Sequence, residues 1–177
     1  MAQIREVTGM HIAVKWITFL AASGLVFYFY KYEFGPRKYP TKTLDGRSFY
    51  KPSAVADILN DLGESRAAYL EQETTIDLVF PMIYGLMFVS AIVGLTPGAG
   101  APRWIVVLPL IAVAGDYAEN ATAIAMLKRY AAWRGPLPVD LGVLPWIASA
   151  ASGTKGVSII ASIVAVAALS IAWIVRR

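Results

Sequence analysis

A chain of 177 residues that is 57% hydrophobic and only 16% charged, with a mean hydropathy of +0.56, has the composition of a membrane protein rather than a soluble globule. The net charge of +4 is modest and no Lys/Arg run is interleaved with aromatic residues, which speaks against a nucleic-acid surface. Zero cysteines and one histidine exclude disulfides, thiolate metal sites, CxxC redox chemistry and a cysteine nucleophile, and no metal or cofactor is expected.

Four apolar windows, at about 10–30, 76–95, 104–127 and 157–175, each approach the ~20 residues a helix needs to cross the hydrocarbon core. They predict an all-α fold. The whole of 1–177 reads as a single integral membrane domain, a four-transmembrane-helix bundle with a partly helical extramembrane loop between helices 1 and 2. The first window runs into FYFYKYEF without a small-x-small exit, so it is expected to stay as a helix and not to be cleaved as a signal. Tyr28, Tyr30 and Tyr32 beside Lys31 form an interfacial belt at one end. His11 and Lys15 lie at the other, where a lysine can snorkel to the headgroups. With four spans, both termini and the turn at 96–103 fall on one face of the membrane, side A, while 31–75 and 128–156 fall on side B. Basic residues near the spans lean towards side B being cytoplasmic, but the long 31–75 loop balances its basic residues with acidic ones, so orientation stays open.

Within the 31–75 loop, GPRKYPTKTLDGRSFYKP is rich in turn residues and reads as irregular. Ser53 is then a candidate N-cap, and Val55, Ile58, Leu59 and Leu62 follow the i, i+3, i+4, i+7 pattern of a helix with one apolar face, which Gly63 interrupts. No proline or glycine lies between Glu64 and Pro81. The second membrane helix is therefore expected to begin outside the bilayer, carrying Arg66, Tyr69 and Glu73, with 31–75 resting on side B as a lid.

Ionisable groups inside spans are costly, so they normally face the interior and mark function. In the second span Asp77, Pro81, Tyr84 and Phe88 recur at helical spacing on one face, continued outward by Glu73. In the third, Asp116, Glu119 and Asn120 occupy i, i+3 and i+4 and share a second face. Lys155, in SGTKG just before the fourth window, is placed at the side B surface, as an interfacial anchor or as a counter-ion. Asp77, Tyr84, Asp116, Glu119, Asn120 and Lys155 thus line an expected polar pocket open to side B. The same polar side chains also suit plain interhelical ties. No GxSxG, HExxH, P-loop or GxGxxG motif is present, and no catalytic residue is assigned.

The run LNDLGESRAAYLEQETTIDLVFPMIYGL, followed by AGDYAENA, resembles a family of uncharacterised small four-helix membrane proteins with a D-L-x-F-P-x-x-Y element in the second span and a D-Y-x-E-N element in the third. That resemblance implies no activity. In helix count and in its acids within the bundle the chain is also loosely similar to the EXPERA sterol-isomerase and sigma-2-receptor group. That architectural likeness implies sterols or lipophilic cations as ligands.

The leading expectation is a multi-pass protein binding a small lipophilic or cationic ligand, as receptor, carrier or enzyme. Two carboxyls in different protonation states would suit proton-transfer isomerisation. The alternative is an accessory subunit of a larger membrane complex. Ser158, Ala161, Ala165, Ala168 and Ala172 form a small-residue stripe on the fourth span, fit for a helix of the bundle, a protein partner or a second copy.

Overall fold

The computed structural model describes residues 2–32, 42–47, 49–133 and 139–176, without the side chains of 2–13, Tyr30 and Tyr32. His11, two tyrosines of the expected aromatic belt and the stretch 33–41 therefore lie outside the described residues. The helices are α1 (Ala2–Tyr32), α2 (Val55–Asp61), α3 (Arg66–Thr74), α4 (Ile76–Ala99), α5 (Val107–Ala132) and α6 (Leu144–Val175), with no strand among the described residues. Three are long and apolar enough to cross a membrane: α4, α5 with the 3-10 turn Arg103–Val106 leading into it, and α6. The apolar part of α1 with described side chains, Val14–Phe29, is shorter. The chain is all-helical and has the spans of an integral membrane protein.

Three boundaries differ from the expected ones. The fourth window was bounded by hydropathy at 157, yet α6 starts at Leu144, with Pro145 in its first turn, where a missing N–H is harmless. Lys155 consequently lies within α6 instead of before it, since a polar residue ends a hydropathy window without ending a helix. Ser53 does not cap: it sits inside a 3-10 turn, Pro52–Ala54, and α2 follows without a side-chain cap. The expected continuous helix from Glu64 is broken at Thr75 (φ −125°, ψ −81°). The Thr74 hydroxyl donates to the carbonyl of Leu70 and that of Thr75 to the carbonyl of Glu71 (2.9 and 2.7 Å), so local side-chain bonds compete with the helical ladder at the bend. Gly63, at φ +50°, does end the α2 turn as expected.

α4 is the hub around which α1, α5 and α6 pack, and α5 lies against α6. Trp16 reaches Gly94 while Phe29 meets the Phe80 ring at 5.9 Å, so α1 runs antiparallel to α4. Tyr84 bonds at Ala112 and Tyr117 at Leu78, which makes α5 antiparallel to α4 as well. Two apolar clusters bracket the middle of this arrangement. At one end Ile92, Leu95, Ala99 and Leu169 pack together. At the other, Leu44, Val55, Ile58, Leu59, Leu62 and Tyr69 of the loop close on Ala123, Met126, Leu127 and Tyr130 of α5 and Ala148 of α6.

The described part of the expected lid is therefore a packed cap with its own share of the core. Ser149 Oγ donates to the Tyr50 carbonyl (2.6 Å), Ser152 Oγ to the Arg47 carbonyl (3.3 Å) and the Tyr130 hydroxyl to the Ala56 carbonyl (3.2 Å). Between the clusters α5 and α6 approach closely at Gly115, where a Cβ would stand 3.0 Å from the Lys155 backbone nitrogen and 3.2 Å from the Ala151 carbonyl oxygen. Backbone cannot give way as a side chain can. Gly115→Val is therefore expected to push α6 off α5 and to cost about 1–3 kcal/mol, read as a lower melting temperature in detergent, while Gly24→Val, in open space, leaves it unchanged.

Candidate functional site

The middle layer is polar. Gly115 lets α6 come near enough for Lys155 to reach the acidic face of α5, where its Nζ pairs with Asp116 Oδ1 at 3.3 Å and with Glu119 Oε2. One ammonium is thus shared by two carboxylates one helical turn apart. Each carboxylate has a further donor: the Tyr84 hydroxyl lies 2.8 Å from Asp116 Oδ2 and 3.1 Å from the Ala112 carbonyl, and the Tyr50 hydroxyl donates to Glu119 Oε1 at 3.0 Å. Tyr50 comes from the cap, so the network joins α4, α5, α6 and the loop. Its burial, then the adjacent Glu119 charge, keeps the Tyr50 phenol well above its ordinary range, and it acts as a donor only.

A second group lies beside the first. Pro81 has no N–H, so the carbonyl of Asp77, four residues before it in α4, lacks its helical donor. The Asn120 amide fills that gap from α5, with Nδ2 donating to Asp77 O at 2.7 Å. The Asp77 side chain accepts from Gln72 Nε2 at 3.0 Å, across the Thr75 bend. Glu73, at the end of α3, lies on the same side as Asp77. Asp45, in the turn whose Arg47 N–H donates to the Leu44 carbonyl, completes a cluster in which one oxygen from each of Asp45, Glu73 and Asp77 lies within 4.8 Å of the others. Glu73 is 0% exposed and neither of its oxygens accepts a hydrogen bond of ordinary geometry. Burial first, then the charges of Asp45 and Asp77, push its carboxyl well above the usual range. The Tyr69 hydroxyl borders both Glu73 and Asp45, and it too is raised, chiefly by burial.

All six residues singled out in the sequence are buried. Tyr84, Asp116, Glu119 and Lys155 form one network; Asp77 and Asn120 form the contact next to it. Lys155 is a buried counter-ion here, not an interfacial anchor. The sequence reading missed Asp45 and Tyr50, which lie in an irregular stretch with no periodicity, and it set Glu73 on the Asp77 face without counting it among the site residues. The signal for Glu73 was present: it stands four residues before Asp77, one helical turn away.

Comparisons with protein-family models, curated proteins and solved structures give no match to this chain. The two sequence elements are accordingly read from their geometry. D-L-x-F-P-x-x-Y supplies the freed carbonyl and the tyrosine that meets Asp116; D-Y-x-E-N supplies the ion pair and the amide that answers the proline.

This pairing of proline and amide makes a testable dependence. Asn120→Ala is expected to cost about 1–3 kcal/mol by leaving a buried carbonyl without a donor. Adding Pro81→Ala, which restores the helical N–H, should recover most of that loss in detergent unfolding; strictly additive losses would show that the amide does not serve the proline's carbonyl.

Proposed function

We propose that this chain is a four-span membrane protein, with both termini on one side, that binds a cationic ligand at an acidic site within its capped half. Exposed tryptophans support the membrane reading: Trp16 and Trp104 lie towards one end of the helices and Trp133 and Trp146 towards the other, as in the aromatic belts of the two interfaces. Lys155 is nine residues along α6 from Trp146, about 14 Å at ~1.5 Å per residue, which puts the polar layer below the interface. Leu78, Val79, Met82 and Leu86 are exposed on α4 at the same level, a surface suited to lipid.

The observation that carries the cation reading is charge. Five carboxylates, Asp45, Glu73, Asp77, Asp116 and Glu119, influence one another across this half of the molecule. Lys155 brings a single positive charge, already shared by two of them. Acids crowded in this way in a low-dielectric region must either hold protons, as the raised Glu73 carboxyl does, or give them up to a cation that balances them, which favours cation uptake. The arrangement gives less support to proton-transfer isomerisation, because both carboxylates of the D-Y-x-E-N element are engaged by the same ammonium. A second reading, an accessory subunit, is favoured by α6: only 17% of its apolar window is buried, against 39% for α4 and α5. Ala168 of the small-residue stripe is exposed, whereas Ser158 is buried within the bundle.

The test is thermal unfolding in nanodiscs against a panel of inorganic cations and small organic amines, with native mass spectrometry of the untreated protein. At least one cation should stabilise the wild type and fail to stabilise Glu73→Gln. Indifference to every cation, together with a co-purifying stoichiometric protein, would replace this reading with the subunit one.

A further inference from the structure

We infer that Asp45, Glu73 and Asp77 bind one hard divalent cation, of Mg2+, Mn2+ or Ca2+ chemistry. The inference rests on the cation-binding reading above and names the ligand of that same site. Oxygen ligands stand ~2.0–2.6 Å from such ions, so ligands on opposite sides of one ion are roughly 4–5 Å apart. The three carboxylates, with one oxygen each inside 4.8 Å of the others, lie within the span that a single ion bridges.

Proximity of acids would not suffice. The second observation is the state of the oxygens. Neither Glu73 oxygen, on a side chain with no exposure, meets a donor in ordinary hydrogen-bond geometry, and the same holds for Asp45 Oδ1, although the neutral Tyr69 hydroxyl lies beside both carboxylates. Buried polar atoms are nearly always satisfied, and one neutral phenol cannot balance three gathered carboxylates, so the poorly satisfied oxygens of Glu73 and Asp45 beside Asp77 point to a positive partner.

That partner is not Lys155, whose ammonium faces Asp116 and Glu119. The donor set is all oxygen and the chain has no cysteine, which selects hard ions over copper or zinc. The surroundings also hold the ligands in place. Gln72 donates to Asp77 Oδ2 and thereby orients that carboxylate, as outer-shell donors do in metal sites. Glu73 and Asp77 lie on one side of the α3–α4 junction, and the cap that carries Asp45 is anchored through Ser149 and Ser152. The expectation of no metal, drawn from cysteine and histidine counts, considered only soft and imidazole ligands; these three carboxylates are brought together by folding.

Chelator-washed full-length protein in nanodiscs, titrated with Mn2+ and followed by electron paramagnetic resonance, tests this. One Mn2+ per chain is expected to bind and to be displaced by Mg2+ or Ca2+. Glu73→Gln and Asp45→Asn, each checked for unchanged helical circular dichroism, should weaken binding by about 10- to 100-fold. Tyr117→Phe, outside the cluster, should bind as the wild type does. Failure of folded wild type to bind Mn2+, Mg2+ or Ca2+, while organic amines still stabilise it, overturns the metal site and leaves the cation reading standing; indifference to both classes overturns the two together. Equal Mn2+ affinity in the wild type and both cluster variants would likewise overturn it.

Discussion

A single lysine shared by two carboxylates in an apolar helix stack is the constraint on which the rest depends. Burying three charges is costly unless each is paired and the remaining lone pairs are filled. Here Lys155 meets Asp116 and Glu119, and tyrosines from α4 and the cap supply further donors. Such a network fixes the rotation of α6 against α5 and the register of both with α4. It also explains Gly115, since a Cβ there would press on the α6 backbone at the point where the lysine must cross.

From that layer the other features follow as local solutions. Pro81 interrupts the α4 ladder on the face next to Asp116 and Glu119, and Asn120, one residue beyond Glu119, answers the carbonyl it frees. The threonine pair at 74–75 bends the chain as α4 begins, between Glu73 and Asp77. The cap then closes over the layer with its own apolar cluster and brings Tyr50 and Asp45 into contact with it. Polar residues within the long apolar helices and apolar residues in the cap thus meet at one layer.

Much of this was legible from spacing. The faces Asp77–Pro81–Tyr84 and Asp116–Glu119–Asn120 follow from helical periodicity, and the buried groups on both helices lie at those positions. The partner of the acids was not legible, because a hydropathy window stops at a charged residue whether or not the helix does; Lys155 was therefore placed outside a helix that begins eleven residues before it. Asp45 and Tyr50 carried no pattern at all. Their positions depend on long-range closure of the cap, and neighbouring residues in the sequence encode nothing of it. The bend at Thr75 had a local cause, in hydroxyls that compete for helical carbonyls, but threonines are common within membrane helices and do not mark a break by themselves.

The central claim is that Lys155 and Glu119 stabilise the fold through each other. A double-mutant cycle with Lys155→Met and Glu119→Gln, measured by reversible unfolding in micelles, tests it most directly. The account predicts that each single change is strongly destabilising and that the pair costs less than the sum, with a coupling of about 1–3 kcal/mol. Losses that add to within about 0.5 kcal/mol would contradict it, and would mean that the buried lysine and the acid are held in place by forces other than their mutual attraction.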